Sequence, residues 1–264
     1  MPTKGAKYYF VASLAKGLRV IELLAQHGEM SASRIAGHLE TSRAASHRFL
    51  STLRDLGYVD KTADGRFCLT FKVVELGMRK LEGFEIRHAA QPYMQALAKA
   101  FHETVNLGHW ENGQVLHLHK IHSTEILRLD VATGAVAPAY CTGLGKAMLA
   151  FQDPEEQEAY LHSLKMVALS SKTITTVAKL KLEMDKIRQC GYAIDDEELS
   201  LGLRCVGAPI FDHRGTAAFA LSVSGPSLRM TPEKMRAIQA QLLPICRELS
   251  RQIGAPEHKQ QPIA

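Results

Sequence analysis

Ser42-Arg43-Ala44-Ala45-Ser46-His47-Arg48-Phe49-Leu50-Ser51-Thr52-Leu53-Arg54-Asp55-Leu56-Gly57 repeats its apolar residues Ala45, Phe49, Leu53 and Leu56 at helical spacing. Thr41 or Ser42 caps the start and Gly57 stops the end. With that stripe buried, Ser42, Arg43, Ser46 and His47 point outward from the N-terminal half, where a recognition helix offers side chains to the major groove. An arginine donates two bonds to a guanine edge, and serine hydroxyls with a helix N-terminus suit phosphate. Upstream, Leu14, Leu18, Ile21, Leu24 and Ala25 predict a helix over 13–27 that ends at Gly28, and Ser31 caps a short helix carrying Ile35, Ala36 and Leu39. Downstream, the Asp64-Gly65 turn before alternating Phe67 and Leu69 predicts a hairpin over 58–70. Three helices and a hairpin in that order make a winged helix-turn-helix, with Arg66 on the wing.

The charge agrees with this reading. Of 264 residues, 1–84 hold 13 Lys and Arg against 8 Asp and Glu, whereas 85–264 hold 19 against 19, so the whole net charge of +5 is N-terminal. A basic module on a neutral body meets a polyanion with one part and does something else with the other. The 46% apolar and 22% charged composition excludes wholesale disorder. No apolar run approaches the ~18 residues of a membrane span and no h-region follows residues 1–7, so a cytoplasmic protein without membrane contact is expected. Cys68, Cys141, Cys190, Cys205 and Cys246 are odd in number and widely spaced, as reduced thiols are.

Beyond residue 70 the pattern predicts helices over 71–83 and from 85 to about 101, with a domain boundary near 84. Strands follow at 104–110, 115–121 and 125–131, helices at 146–151, 154–163 and 177–190, strands at 206–211 and 217–223, and a last helix over 232–253. Mixed helices and antiparallel hairpins make the body α+β, and the polar tail 254–264 is expected to be disordered.

The body has few marks of catalysis. Gly143-Leu144-Gly145-Lys146 lacks the rest of a phosphate loop, because Tyr140 and Ala147 stand where glycine and Ser/Thr are needed. Glycines leading into a helix still free backbone N–H groups for an anion, although the same turn also serves simply to cap a helix. Ser222 and Ser224, two apart, share one strand face as a polar pocket requires, but no Gly-x-Ser-x-Gly elbow surrounds them and Cys205 has no nucleophile signature. His117 and His119 fall on one face of the strand expected over 115–121 at metal-ligand spacing, with His109 and His122 nearby. No third ligand is identifiable, so surface or hydrogen-bonded histidines are expected, with no metal and no cofactor.

The chain resembles the IclR family of bacterial transcriptional regulators over about residues 11–253. The N-terminal resemblance lies in Ser13-Leu14-Ala15-Lys16-Gly17-Leu18, His47-Arg48-Phe49-Leu50, Leu56-Gly57-Tyr58-Val59 and Leu76-Gly77. In the body it lies in Gly143-Leu144-Gly145-Lys146-Ala147, the run from Gly191 to Glu198, Gly202-Leu203-Arg204-Cys205, Ala208-Pro209-Ile210-Phe211-Asp212 and Ser222-Val223-Ser224-Gly225-Pro226. It implies an arm (1–10), a winged helix-turn-helix domain (11–70), a linker helix (71–84) and a GAF-like effector-binding domain (85–253). It further implies a homodimer or dimer of dimers on a pseudo-palindromic double-stranded DNA operator, and a repressor that senses a small organic acid. The amides of Gly143 and Leu144 would hold the carboxylate, with Asp195, Cys205, Ser222 and Ser224 around it. Leu116-His117-Leu118-His119-Lys120-Ile121 with Leu127-Arg128 is similar to members that sense sugar acids and keto acids. The alternative is an enzyme of small carboxylic acids with an accessory nucleic-acid module.

Overall fold

A computed structural model of the protein describes residues 10–82, 85–128 and 131–257. Residues 1–9 of the expected arm (1–10) and 258–264 of the expected tail (254–264) lie outside them. The start of that tail is not disordered as expected: Gly254 and Ala255 donate their amides to Arg251 O and Ser250 O at 3.1 and 2.9 Å, and Ala255 is buried in the core of the second unit. The chain divides into two compact units, Met1–Gly83 and Phe84–Ala264. No helix among the described residues is long and apolar enough to cross a membrane.

The first unit holds α1 (Ala12–His27), α2 (Ala32–His38), α3 (Arg43–Asp55), the hairpin β1 (Val59–Lys61) and β2 (Phe67–Leu69), and α4 (Phe71–Glu82). Ser31 and Ser42 cap α2 and α3 by accepting the amides of Arg34 and Ala45 at 3.3 and 3.1 Å. Val20, Leu23, Leu24, Met30, Ile35, Leu50, Leu53, Val59 and Phe67 form its core. Met30 pairs with Phe67 as an isolated bridge that ties the α1–α2 turn to the hairpin.

Of the stripe expected to be buried on α3, only Leu53 is fully so. Ser46, Leu50 and Leu53 face the core, while Ala45 and Phe49 are half-buried and Leu56 is exposed. The helix is turned by about one residue because Ser46, fully buried, donates its hydroxyl to Ala32 O at 3.2 Å where α2 crosses α3. A satisfied hydroxyl is tolerated inside, and its small side chain lets the helices close.

The second unit is built on a six-stranded antiparallel sheet in the order β5-β4-β3-β8-β7-β6. Its strands are β3 (Thr104–Glu111), β4 (Gln114–Ile121), β5 (Val136–Pro138), β6 (Ala193–Asp196), β7 (Leu203–Ile210) and β8 (Phe219–Pro226). One face carries α5 (Glu85–Phe101) and α9 (Pro232–Gln252); the other carries α6 (Gly143–Leu149), against which α8 (Val177–Cys190) packs. The short α7 is Pro154–Ser163. Covering both faces explains why β7 and β8 are buried almost throughout.

The expected strand over 125–131 is absent among the described residues, and 129–130 lie outside them. The edge of β4 that such a strand would need is already bonded. His117 N donates to Ala135 O and His117 O accepts from Gly134 N, and β5 continues the pairing. A second correction concerns the histidine pair. The β3–β4 register shifts so that Leu107 pairs with His119 but Gly108 with His117, leaving Leu118 as a bulge. His117 therefore lies on the α6 face, with Gly108, and His119 on the α5 face, where burial and then the Arg87 charge lower its pKa. The two rings cannot share one ion.

Candidate functional site

In the first unit, the expected DNA-reading residues divide. Ser42 is the cap of α3; Arg43 and His47, one turn apart, are exposed beside it, and the His47 ring packs edge-on to Phe67 of the hairpin. Ser46 is a correction: buried and bonded to Ala32 O, it cannot reach a groove. Arg66 is half-exposed on the wing but shares its charge with Asp64 and Glu29 at 2.6 and 3.1 Å. Exposed pairs of this kind contribute little to stability. Elsewhere on the first unit, Leu14, Leu18, Phe49, Leu56 and Leu76 line an open apolar groove of about 900 Å³.

In the second unit, Gly143, Leu144, Asp195, Cys205, Ser222 and Ser224 all line one cavity, together with Asn106, His117 and Thr142. Backbone register explains the convergence. Asp195 pairs with Cys205, Cys205 with Ser224, Gly207 with Ser222, and Ser222 with Asn106, so one sheet face presents these side chains in adjacent rows. The start of α6 presses onto that face. A Cβ on Gly207 would lie 2.5 Å from Gly143 O, and one on Gly143 would lie 2.8 Å from Cys205 Sγ. Thr142 caps the helix by accepting Gly145 N at 3.1 Å and donating to Pro138 O at 3.0 Å. The Gly143 amide is directed at the Cys205 sulfur. The cavity measures only about 40 Å³, near the volume of one water, so a ligand must part its walls.

The electrostatics beneath the cavity were not readable from sequence. Lys146 has no exposed surface and its ammonium is bonded to Glu198, with Glu183 at 3.4 Å. Asp195 accepts the amides of Glu198 and Leu199 at 2.7 and 3.3 Å. Burial nevertheless pushes its carboxyl up to about 7, opposed by the Glu198 amide and reinforced by the Glu198 charge. Burial, and then the Lys120 charge, hold His117 down at about 4, so its ring is neutral. Burial and the Asp195 charge push the Cys205 thiol up to about 12, which leaves it without the thiolate that nucleophilic attack requires. No group of three or more metal-ligating side chains occurs among the described residues.

Asn106, His117 as a cavity residue, Thr142 and Glu198 are the members that sequence reasoning missed. His117 and Glu198 stood in stretches that the resemblance marks, but that they meet Asn106 and Thr142 at this site depends on register.

The comparisons with known proteins bear on both units. Residues 13–63 match the family model of the IclR helix-turn-helix domain, and residues 78–253 match that of the bacterial transcriptional regulator IclR C-terminal domain. The HTH-type transcriptional regulator KdgR of Escherichia coli is 32% identical over 245 residues, 92% of this chain and 93% of that protein. The Pca regulon regulatory protein of Pseudomonas putida is 32% identical over 247 residues, covering 92% and 83%. The crystal structure of the Thermotoga maritima IclR superposes with a TM-score of 0.74 at 30% identity, over 92% of this chain and 98% of that one. This chain therefore belongs to the IclR family of bacterial transcriptional regulators, ligand-responsive DNA-binding proteins and not enzymes.

Proposed function

We propose that the protein is a cytoplasmic repressor that holds a pseudo-palindromic double-stranded DNA operator as a homodimer or dimer of dimers, and that a small organic acid bound in its GAF-like effector domain releases it. The observation that carries the effector reading is the convergence of Gly143, Leu144, Asp195, Cys205, Ser222 and Ser224 on one cavity. Leu144 lies at a helix start, and Lys120, whose charge reaches His117, adds positive field for an anion. On the DNA side, Ser42 meets phosphate at the start of α3, Arg43 and His47 read the groove, and Arg66 on the wing holds backbone. Two heads per operator give the specificity that one half-site lacks, and the exposed apolar residues Leu14, Leu18, Phe71 and Val74 supply surface for a second copy.

Acid binding shifts operator affinity only by the acid's preference for one arrangement of the heads. The test is operator release in a gel shift across a panel of small organic acids, with wild type and Cys205→Phe. One or more acids should release the wild type, whereas the phenylalanine, blocked by Gly143, should bind operator and ignore the acid. Release of the variant at wild-type acid concentration would put the effector elsewhere.

A further inference from the structure

Six buried side-chain polar atoms have no hydrogen-bond partner of good geometry among the described residues, and three of them belong to the wall of the effector cavity: Asn106 Oδ1, His117 Nδ1 and Ser222 Oγ, the last facing only the Cys205 thiol. The three residues are 2%, 8% and 1% exposed. Native interiors hold few such atoms, and three in one wall call for a partner that both gives and takes hydrogen bonds, a water when the cavity is closed or a ligand group that displaces it. The register puts them together. Asn106 pairs directly with Ser222, and His117 pairs with Gly108, the next position of β3 on the same face.

The chemistry of that group follows from what each atom lacks. Asn106 Nδ2 donates to Ser224 Oγ at 2.9 Å, and the Ser224 hydrogen is directed to Thr104 O at 3.5 Å. In this orientation of the amide Asn106 Oδ1 is an acceptor that faces no donor. Ser222 Oγ both gives and takes, and the neutral His117 ring has one donor and one acceptor nitrogen. A carboxylate or a ketone has no hydrogen for Asn106. An ammonium has three, but it would sit in the positive Lys120 field that already opposes a charge on His117. A hydroxyl, with one hydrogen and two lone pairs, answers all three atoms.

Resting on the acid-binding reading above, we infer that Asn106, His117 and Ser222 form a hydroxyl-reading wall, so that the cavity selects acids bearing a hydroxyl on the carbon chain over their deoxy, keto and amino counterparts. The test is calorimetric titration of the full chain with matched sets of equal length: glycerate, propionate, pyruvate and alanine at three carbons, and gluconate against hexanoate at six. Within the better-bound length the hydroxy acid should bind at least tenfold tighter than the deoxy acid. Asn106→Leu should erase that ratio while leaving the deoxy acid's affinity unchanged, and Ser222→Ala, which leaves the Asn106–Ser224 bond in place, should reduce it as an independent variant. Equal or tighter binding of the deoxy or keto acid, or tightest binding of the amino acid, overturns the inference but leaves the acid-binding reading standing. If no acid of either set binds, the acid-binding reading falls and takes the inference with it.

Discussion

Arg43 and Ser46 stand three positions apart on α3 and carry opposite duties. Arg43 is exposed and aimed outward, whereas Ser46 closes the α2–α3 crossing. Arg43→Ala should therefore relax sequence preference in gel-shift titrations at fixed salt, at about 1–3 kcal/mol if a base edge is lost. Ser46→Val should instead leave Ala32 O unpaired, lower the head's melting temperature by an equivalent of about 1–3 kcal/mol and weaken all DNA sequences alike. An Arg43→Ala protein that binds operator like wild type would refute the first half. Preference changed by Ser46→Val without loss of stability would refute the second.

The same scale governs pH. Asp195, at about 7 in the folded chain against ~3.9 unfolded, contributes stability that is complete below pH ~4 and is lost as pH rises toward 7. His117, at about 4 against ~6.5, contributes stability that is complete above pH ~6.5 and is lost as pH falls toward 4. The two slopes oppose each other in one window. Relative to wild type, Asp195→Asn should gain melting temperature as pH rises from 4 to 7, and His117→Gln should gain it as pH falls. Differences that stay flat with pH would show that neither group is held away from its ordinary range.

At the scale of elements, α6 and β7 are seated by glycine. Gly207→Ala puts a methyl against the Gly143 carbonyl and Leu144 N, backbone atoms that can yield only if the helix lifts. A cost of order 1–3 kcal/mol is expected for such overpacking. Effector response should shift to higher acid concentration while operator binding without acid persists. An unshifted response would mean that α6 does not need this seat. The helices were more legible than the strands: α1, α7 and α8 begin and end within a residue of the expected bounds, whereas the short edge strands β5 and β6 went unread and a strand was expected over 125–131 where none forms among the described residues. What sequence could not show was phase. Ala45 and Phe49 look as core-like as Leu50 until Ser46 finds Ala32 O, and His-x-His looks like one face until a bulge at Leu118 splits it. Both depend on a partner element that periodicity does not name. The cavity was legible residue by residue through resemblance, but its unpaired wall appeared only when β3, β4 and β8 were laid side by side.

At the scale of the whole molecule, a chain with one helix proposed to read DNA needs a second copy, and the apolar groove of the first unit offers it a surface. Leu14 and Leu18 remain exposed on α1 although α1 also supplies core residues. Leu18→Glu should lower the oligomer mass in light scattering at micromolar concentration and weaken operator binding, with the head still folded by circular dichroism. An unchanged mass would send the assembly contact to another surface.

Lys146 gives an experimenter a clock. Its ammonium has no exposed surface and lies against Glu198, in a helix whose seven residues are all buried. An acylating reagent at neutral pH should modify the exposed lysines at once and Lys146 only when α6 lifts from the sheet. The rate at which that one amine is tagged, read by mass spectrometry, then counts openings of the cavity, and a compound that fills and tightens it should slow the tagging before its identity is known.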